Sequence, residues 1–408
     1  MRKRRTAARG IAVLTGTALV AALAAPAAAA PSGGLDPAQL RTSLDAVHEA
    51  GMYGIYSQVR DGRSVWSGAS GVADVRTGRP VRPGMEHRVG SVSKAFTSAA
   101  LIQQVRAGRL GLDDPIGRYL PKLVPGERGK AVTVRMLLNH TSGIGDYVAS
   151  AFPSLARNSG ADISRYRFRT LAPTQLARWG LAAQPTQRGT WSYSNTNYVL
   201  AGLILRKVTG TDPQRYITRN VIHRAGLHHT YFPRSPRIRG PHSGAYESLY
   251  GLLDPPKDFS TYDMSWANTA GALVSTMSDL EKFYRALLGG KIVDRAGLAE
   301  MQKTVSEGDG TTARYGLGIY RLHLPCGDFW GHDGAVWGMG TYALSSPDGR
   351  RQVALGFNLM KYERIDENGN PEPSKIDDAL NAHLATAACG TRPTTRSTGP
   401  RLFPMRHG

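Results

Sequence analysis

Cysteine is scarce in this sequence, two in 408 residues, and two thiols are too few for a structural zinc site, which takes about four ligands. No His-Glu-x-x-His is present for a metalloprotease, and no Gly-x-Ser-x-Gly for the strand-to-helix elbow of an α/β-hydrolase. Acidic residues are outnumbered by basic ones, 31 to 51. Long apolar runs are rare too: the stretch from Ile11 to Leu23 stands out, and it is shorter than the roughly 20 residues a spanning helix needs. There is no internal repeat and no nucleic-acid-binding motif. What remains is globular in composition, 41% hydrophobic and 20% charged, and long enough for one large core or two smaller ones.

The first 30 residues read as a leader rather than as part of that globule. Arg2, Lys3, Arg4, Arg5 and Arg9 precede the apolar run, and small residues through Ala30 follow it, the pattern of a secretory signal peptide cleaved near Ala29 or Ala30. A secreted, extracellular and soluble protein is therefore expected. Residues 1–30 carry five basic and no acidic residues, and 390–408 four and none, which leaves +11 of the total +20 for the body. Such a surface suits loose contact with an anionic cell wall and not nucleic acid, for which no motif exists; it also suits simple solubility. The Arg/Pro/Thr-rich tail 390–408 reads as disordered. In an exported chain the pair Cys326 and Cys389 is expected to be oxidised, a closure of about 4 kcal/mol in the chain-entropy model.

Taken in order, the chain opens with a helix from Leu35 to Ala50, with Asp36 as N-cap and Leu40, Leu44 and Val47 on one face. Strands follow at Tyr53–Arg60 and Ser64–Ala69. A helix from Ser91 to Gly108 carries a buried stripe of Phe96, Ala99, Ala100, Ile102 and Val105. Short helices and Pro/Gly-rich loops fill roughly 109–260, with a clear helix from Thr196 to Val208. Ser278-Asp279-Leu280-Glu281 reads as a capping box for a helix to Leu288. Strands are expected at Tyr315–Leu324, Phe329–Trp330, Val336–Leu344 and Gln352–Asn358, then a last helix from Ser374 to Ala388. This order predicts an α/β (α+β) fold: an antiparallel sheet built from both chain ends and flanked by N- and C-terminal helices, with a helical lobe inserted between its halves, the whole spanning residues 31–389.

Ser91 and Lys94 stand three residues apart at the start of a helix, which puts both side chains on one face at the end where backbone N–H groups lack helical partners. Ser-x-x-Lys arises by chance on the order of once in a chain this long. Two further triplets give it meaning: Tyr193-Ser194-Asn195 before the Thr196 helix, and His332-Asp333-Gly334 on a C-terminal strand. A serine nucleophile needs a base, a proton path to the leaving group and oxyanion donors, and these residue types supply them. Ser91 also reads as a plain helix cap and Asn195 as a cap of the next helix. His242-Ser243-Gly244 competes for the third triplet but lacks a strand, and His140 reads as a structural loop residue.

Together the three triplets resemble those of the serine penicillin-recognising hydrolases: class C β-lactamases, D-alanyl-D-alanine carboxypeptidases of the penicillin-binding type, and related esterases and D-aminopeptidases. Arg88-Val-Gly-Ser91, Leu138 to Gly143, Tyr193 to Tyr198, Trp266 to Gly271, Tyr315 to Gly318 and the Cys326/Cys389 pair are similar to the secreted actinobacterial carboxypeptidase type. The resemblance implies a β-lactamase/transpeptidase-like fold with no cofactor and no metal. It implies Ser91 as the acylated nucleophile, Lys94 and Tyr193 sharing the base role, Asn195 holding Lys94, and His332 completing the centre. The N–H groups of Ser91 and Ala335 would form the oxyanion hole, with Asp333, Gly334, Trp266, Tyr147 and Arg321 around the substrate. The implied function is acyl transfer on peptidoglycan-type peptides or small esters and amides, by a monomer that takes β-lactams as covalent ligands.

One departure stands out. Where relatives bind a free carboxylate with hydroxyl residues and an arginine, this chain has Asp333, Ala335 and Tyr320, with Arg321 adjacent. A substrate carboxylate about 4 Å from Asp333 would be opposed by roughly 4 kcal/mol at an effective dielectric of 20. That favours an uncharged leaving group.

Overall fold

The first helix, α1 (Pro37–Glu49), begins where Asp36 accepts the N–H groups of Ala38 and Gln39, each at 3.0 Å. Pro37 suits the first turn because its missing N–H would have had no helical partner. The computed structural model describes residues 34–157, 159–308, 313–367 and 371–390, which fall in one compact unit. The expected leader, residues 1–30, and nearly all of the expected tail, 391–408, lie outside the described residues.

A nine-stranded antiparallel sheet dominates. Its strands are β1 (Gly54–Asp61), β2 (Ser64–Asp74), β3 (Arg79–Pro80), β4 (Val305–Ser306), β5 (Ala313–Tyr315), β6 (Tyr320–Leu324), β7 (Gly327–Val336), β8 (Met339–Ser345) and β9 (Arg351–Phe357). Their spatial order is β3-β2-β1-β9-β8-β7-β6-β5-β4. The first strand therefore pairs with the last, Val59 opposite Val353, and the two chain ends close one sheet as expected. Strand alternation sorts the faces: Tyr342, Leu344, Val353 and Leu355 join one apolar cluster, while the intervening Ala343 and Ala354 join another.

Helices cover those clusters. Leu40, Leu44 and Val47 of α1 pack in one with Ile376, Leu380 and Leu384 of the C-terminal helix Lys375–Cys389, whose N-cap is Ser374. The other holds helix α2 (Ser93–Arg106), helix α3 (Asn195–Thr209) and helix α4 (Met277–Leu288), with Phe96 stacked on Phe283 at 3.6 Å. Each fully buried Leu, Val or Phe side chain contributes about 1.5–3 kcal/mol. A disulfide joins Cys326, in the β6–β7 turn, to Cys389 at the end of the last helix.

Four local expectations change. Helix α2 is buried beyond its expected stripe: every residue from Ser93 to Ile102 is buried, while Val105, expected in the stripe, is only partly covered. Helix α4 is capped by Thr276, which accepts the N–H of Asp279, and not by Ser278. The stretch Tyr315–Leu324 is two strands, because the backbone reverses between Tyr315 and Tyr320 with Gly318 at φ +76. Val336–Leu344 is likewise divided, at the Trp337-Gly338 turn that joins β7 to β8.

Candidate active site

The strand-to-helix passage at Arg88–Lys94 builds the centre. A 3-10 turn, Gly90–Val92, carries Ser91 into α2, and its backbone lies directly against β7. A Cβ at Gly334 would stand 2.0 Å from the Val89 carbonyl and 3.0 Å from the Ser91 nitrogen; one at Gly90 would stand 2.7 Å from the Ala335 nitrogen. Only glycine permits this approach, and it brings the backbones of Ser91 and Ala335 together as an oxyanion hole requires.

Lys94 is fully buried and Ser91 is 4% exposed. The Lys94 Nζ lies 2.9 Å from Ser91 Oγ, 2.7 Å from Asn195 Oδ1 and 2.9 Å from the Ala270 carbonyl. The last two atoms only accept, so each must take an N–H from the amine. The Ser91 contact alone can reverse, with the hydroxyl donating to the nitrogen lone pair once Lys94 is neutral. Burial pushes the Lys94 ammonium down to about 7, against the charges of Asp146 and Asp333, which hold it up. The buried lysine is thus a base poised near neutrality.

Asn195 is the first residue of α3. The Asp146 carboxylate accepts its backbone N–H at 2.6 Å and its Nδ2 at 3.0 Å, so the amide oxygen is turned toward Lys94. Asp146 therefore caps α3 from a separate loop, and burial raises its carboxyl above the usual range. Tyr193 is half-buried, with Lys94 Nζ 4.8 Å from its ring centroid; a second ring, Tyr198, lies 5.6 Å from the same nitrogen.

His332 sits on β7, fully buried. Its Nδ1 meets the Asp333 carbonyl, an acceptor, so Nδ1 carries the proton. The Nε2 is 2.7 Å from the Tyr315 hydroxyl, and the ring centroid is 6.5 Å from that of Tyr193.

The structure thus brings Ser91, Lys94 and Asn195 into one hydrogen-bonded group, with Tyr193, His332 and Ala335 beside it. Several expected substrate contacts lie elsewhere. Tyr147 is fully buried with its hydroxyl on the Trp266 carbonyl, so it offers a substrate no surface. Trp266 is 7% exposed and packs against Phe152 and Trp337. Arg321, opposite Trp330 in the sheet, directs its guanidinium to Asp328 at 3.5 Å. Asp333 is fully buried, its Oδ1 3.7 Å from His332 Nδ1. Its charge acts on Lys94. His242 bonds the Gly240 carbonyl in a loop beside β3, where the Arg79 guanidinium donates to the His242 carbonyl at 3.0 Å.

Sequence reasoning missed Asp146, Ala270 and Tyr315 as parts of the centre. Tyr315 and Ala270 sit inside stretches already singled out, Tyr315–Gly318 and Trp266–Gly271. Asp146 carried no signal, since its contact with Asn195 spans 49 positions.

A serine in hydrogen-bond contact with a buried lysine, beside two closely approached backbone N–H groups, is the arrangement of a serine hydrolase. The chain belongs to the beta-lactamase family, whose model matches residues 42–372. It resembles the crystal structure of a D-stereospecific amidohydrolase from Streptomyces sp., with a TM-score of 0.76 and 34% identity over 88% of this chain and 100% of that one. It is 28% identical to penicillin-binding protein 4* of Bacillus subtilis over 69% of this chain and 63% of that protein. To a D-aminopeptidase of Cereibacter sphaeroides it is 26% identical, over 79% and 60% respectively. The chain spans less than two thirds of the length of each of these last two relatives.

Proposed function

We propose that this chain is an exported serine amidohydrolase that acylates Ser91 with D-amino-acid amides or peptides whose leaving group is uncharged. The observation that carries the reading is the 2.9 Å contact between Ser91 Oγ and a lysine whose burial brings it to about 7. The Ser91 proton passes to Lys94 Nζ as Oγ attacks the substrate carbonyl carbon. The oxyanion rests on the Ser91 and Ala335 N–H groups. The proton is then delivered to the departing nitrogen, with Tyr193 and the Tyr315–His332 pair as its route, and water repeats the sequence in reverse to free Ser91.

The likeness to a D-stereospecific amidohydrolase supports the D-amide substrate class. An uncharged leaving group is supported by β7, which holds no lysine or arginine from Gly327 to Val336, and by the engagement of Arg321 with Asp328. The basic, then apolar, N-terminal sequence supports export. Likeness to a penicillin-binding protein favours a second reading, a D-alanyl-D-alanine carboxypeptidase on cell-wall peptides.

Hydrolysis of a D-Ala-D-Ala peptide, its C-terminal amide and a D-alanine p-nitrophenyl ester separates the two. Preference for the amide and ester is the expected result, and a strong preference for the free acid would replace it with the carboxypeptidase reading. Labelling by a fluorescent penicillin should vanish in Ser91→Ala.

A further inference from the structure

Tyr193 is gripped from both sides by one distant residue. The Ser192 N–H, just before it, donates to the His140 carbonyl at 2.8 Å, and the Ser194 N–H, just after it, donates to His140 Nδ1 at 3.2 Å. Between these two bonds the imidazole lies against the Tyr193 ring, with centroids 4.3 Å apart and planes 34° apart. Tyr315, the partner of His332, meets the same imidazole edge-on at 4.8 Å.

Because a backbone N–H points at Nδ1, that nitrogen holds its lone pair and the imidazole is neutral, with its proton on Nε2. Asn197 supports this state: its Oδ1 accepts from Ser142 Oγ at 2.7 Å, which turns its Nδ2 toward His140 Nδ1 at 3.2 Å. His140 achieves this from a left-handed backbone, φ +61, while fully buried. Such a conformation is uncommon outside glycine, and asparagine tolerates it best among the other residues. A loop needing only a turn there would be served by glycine. Glycine would supply neither the Nδ1 acceptor nor the ring.

We propose that His140 is a positioning residue for Tyr193, setting the height and tilt of the phenol ring beneath Lys94 Nζ. The inference rests on the proposed acyl-transfer role of Tyr193 and adds the device that aims it. His140 touches no substrate. It acts by tying both neighbours of Tyr193 to the loop that follows Leu138, so that the ring cannot swing away from the 4.8 Å contact with the lysine. A displacement on the order of 1 Å at such a centre costs about 10²-fold in rate.

The test measures single-turnover acylation by a fluorescent penicillin, kcat and KM on the p-nitrophenyl ester, and melting temperature, in the full-length protein. His140→Ala should slow acylation and kcat by roughly 10–100-fold with KM little changed. His140→Asn, which keeps an acceptor near Nδ1 and accepts the backbone angle, should recover most of the rate. His140→Phe, which keeps a ring without the acceptor, should not. In a Tyr193→Phe background His140→Ala should cause little further loss, since two residues acting as one unit are not additive. Full additivity, or wild-type acylation in His140→Ala, overturns the inference. Should His140→Ala fail to fold, the ranking of the Asn variant above the Phe variant decides it, and equal rates for those two would count against it. If wild type itself is not labelled, or Ser91→Ala is labelled equally, the acyl-transfer reading fails instead.

Discussion

The Nζ of Lys94 lies 2.9 Å from Ser91 Oγ, and both other acceptors around that nitrogen, Asn195 Oδ1 and the Ala270 carbonyl, lack a proton to give back. Of these three contacts, only the serine can therefore hand a proton to the lysine. The pH dependence follows. With the ammonium brought down to about 7 by burial, Lys94 is a free base above that pH and a cation below it. Steady-state kcat/KM should rise about tenfold per pH unit up to about 7 and level off above. Lys94→Arg, whose guanidinium stays protonated, should lose roughly 10²–10⁴-fold at every pH from 5 to 9.

Asp146 bears on the same equilibrium from the other side. Its charge holds the Lys94 ammonium up, and its carboxylate fixes Asn195. In Asp146→Asn the acidic limb of the kcat/KM profile should move to lower pH while the plateau drops. Replacing one of its two accepting oxygens by an NH2 donor should cost about 1–3 kcal/mol in urea unfolding. An unmoved limb would remove Asp146 from the electrostatics of the centre.

Gly334 governs the anion site. Its substitution by alanine places a carbon 2.0 Å from the Val89 carbonyl, and the backbones of Ser91 and Ala335 must part. Gly334→Ala should lower kcat by roughly 10²–10³-fold, the effect of losing an oxyanion donor, and destabilise by about 1–3 kcal/mol. Penicillin labelling and thermal melting report the two effects separately.

The Cys326–Cys389 disulfide closes a separation of 63 residues and ties the β6–β7 turn to the last helix. Replacing both cysteines by serine should cost about 4 kcal/mol of unfolding free energy in the chain-entropy model while leaving kcat within about twofold. Denaturant titration of the variant beside the oxidised and reduced wild type checks it. A large fall in kcat at temperatures where the variant is folded would mean that the bridge shapes the centre itself.

Much of the molecule was legible in one dimension because it rests on local chemistry. The cap at Asp36 and the stripe of Leu40, Leu44 and Val47 are set by residues within a few positions of each other. Ser91 and Lys94 share a helical face for the same reason, and the triplets at Tyr193 and His332 showed as short patterns. What pattern could not show was depth and approach. Whether the backbones of Ser91 and Ala335 come together depends on how closely Gly334 packs against Val89, a contact made across 245 positions of chain. The residues that aim the centre, Asp146 on Asn195 and His140 around Tyr193, act over separations of about 50 positions and carry no periodicity. The sequence alone therefore determined which groups could react. Only the tertiary structure decided which are buried enough to shift their protons and held closely enough to exchange them, because desolvation and hydrogen-bond distance are properties of packing, not of order along the chain.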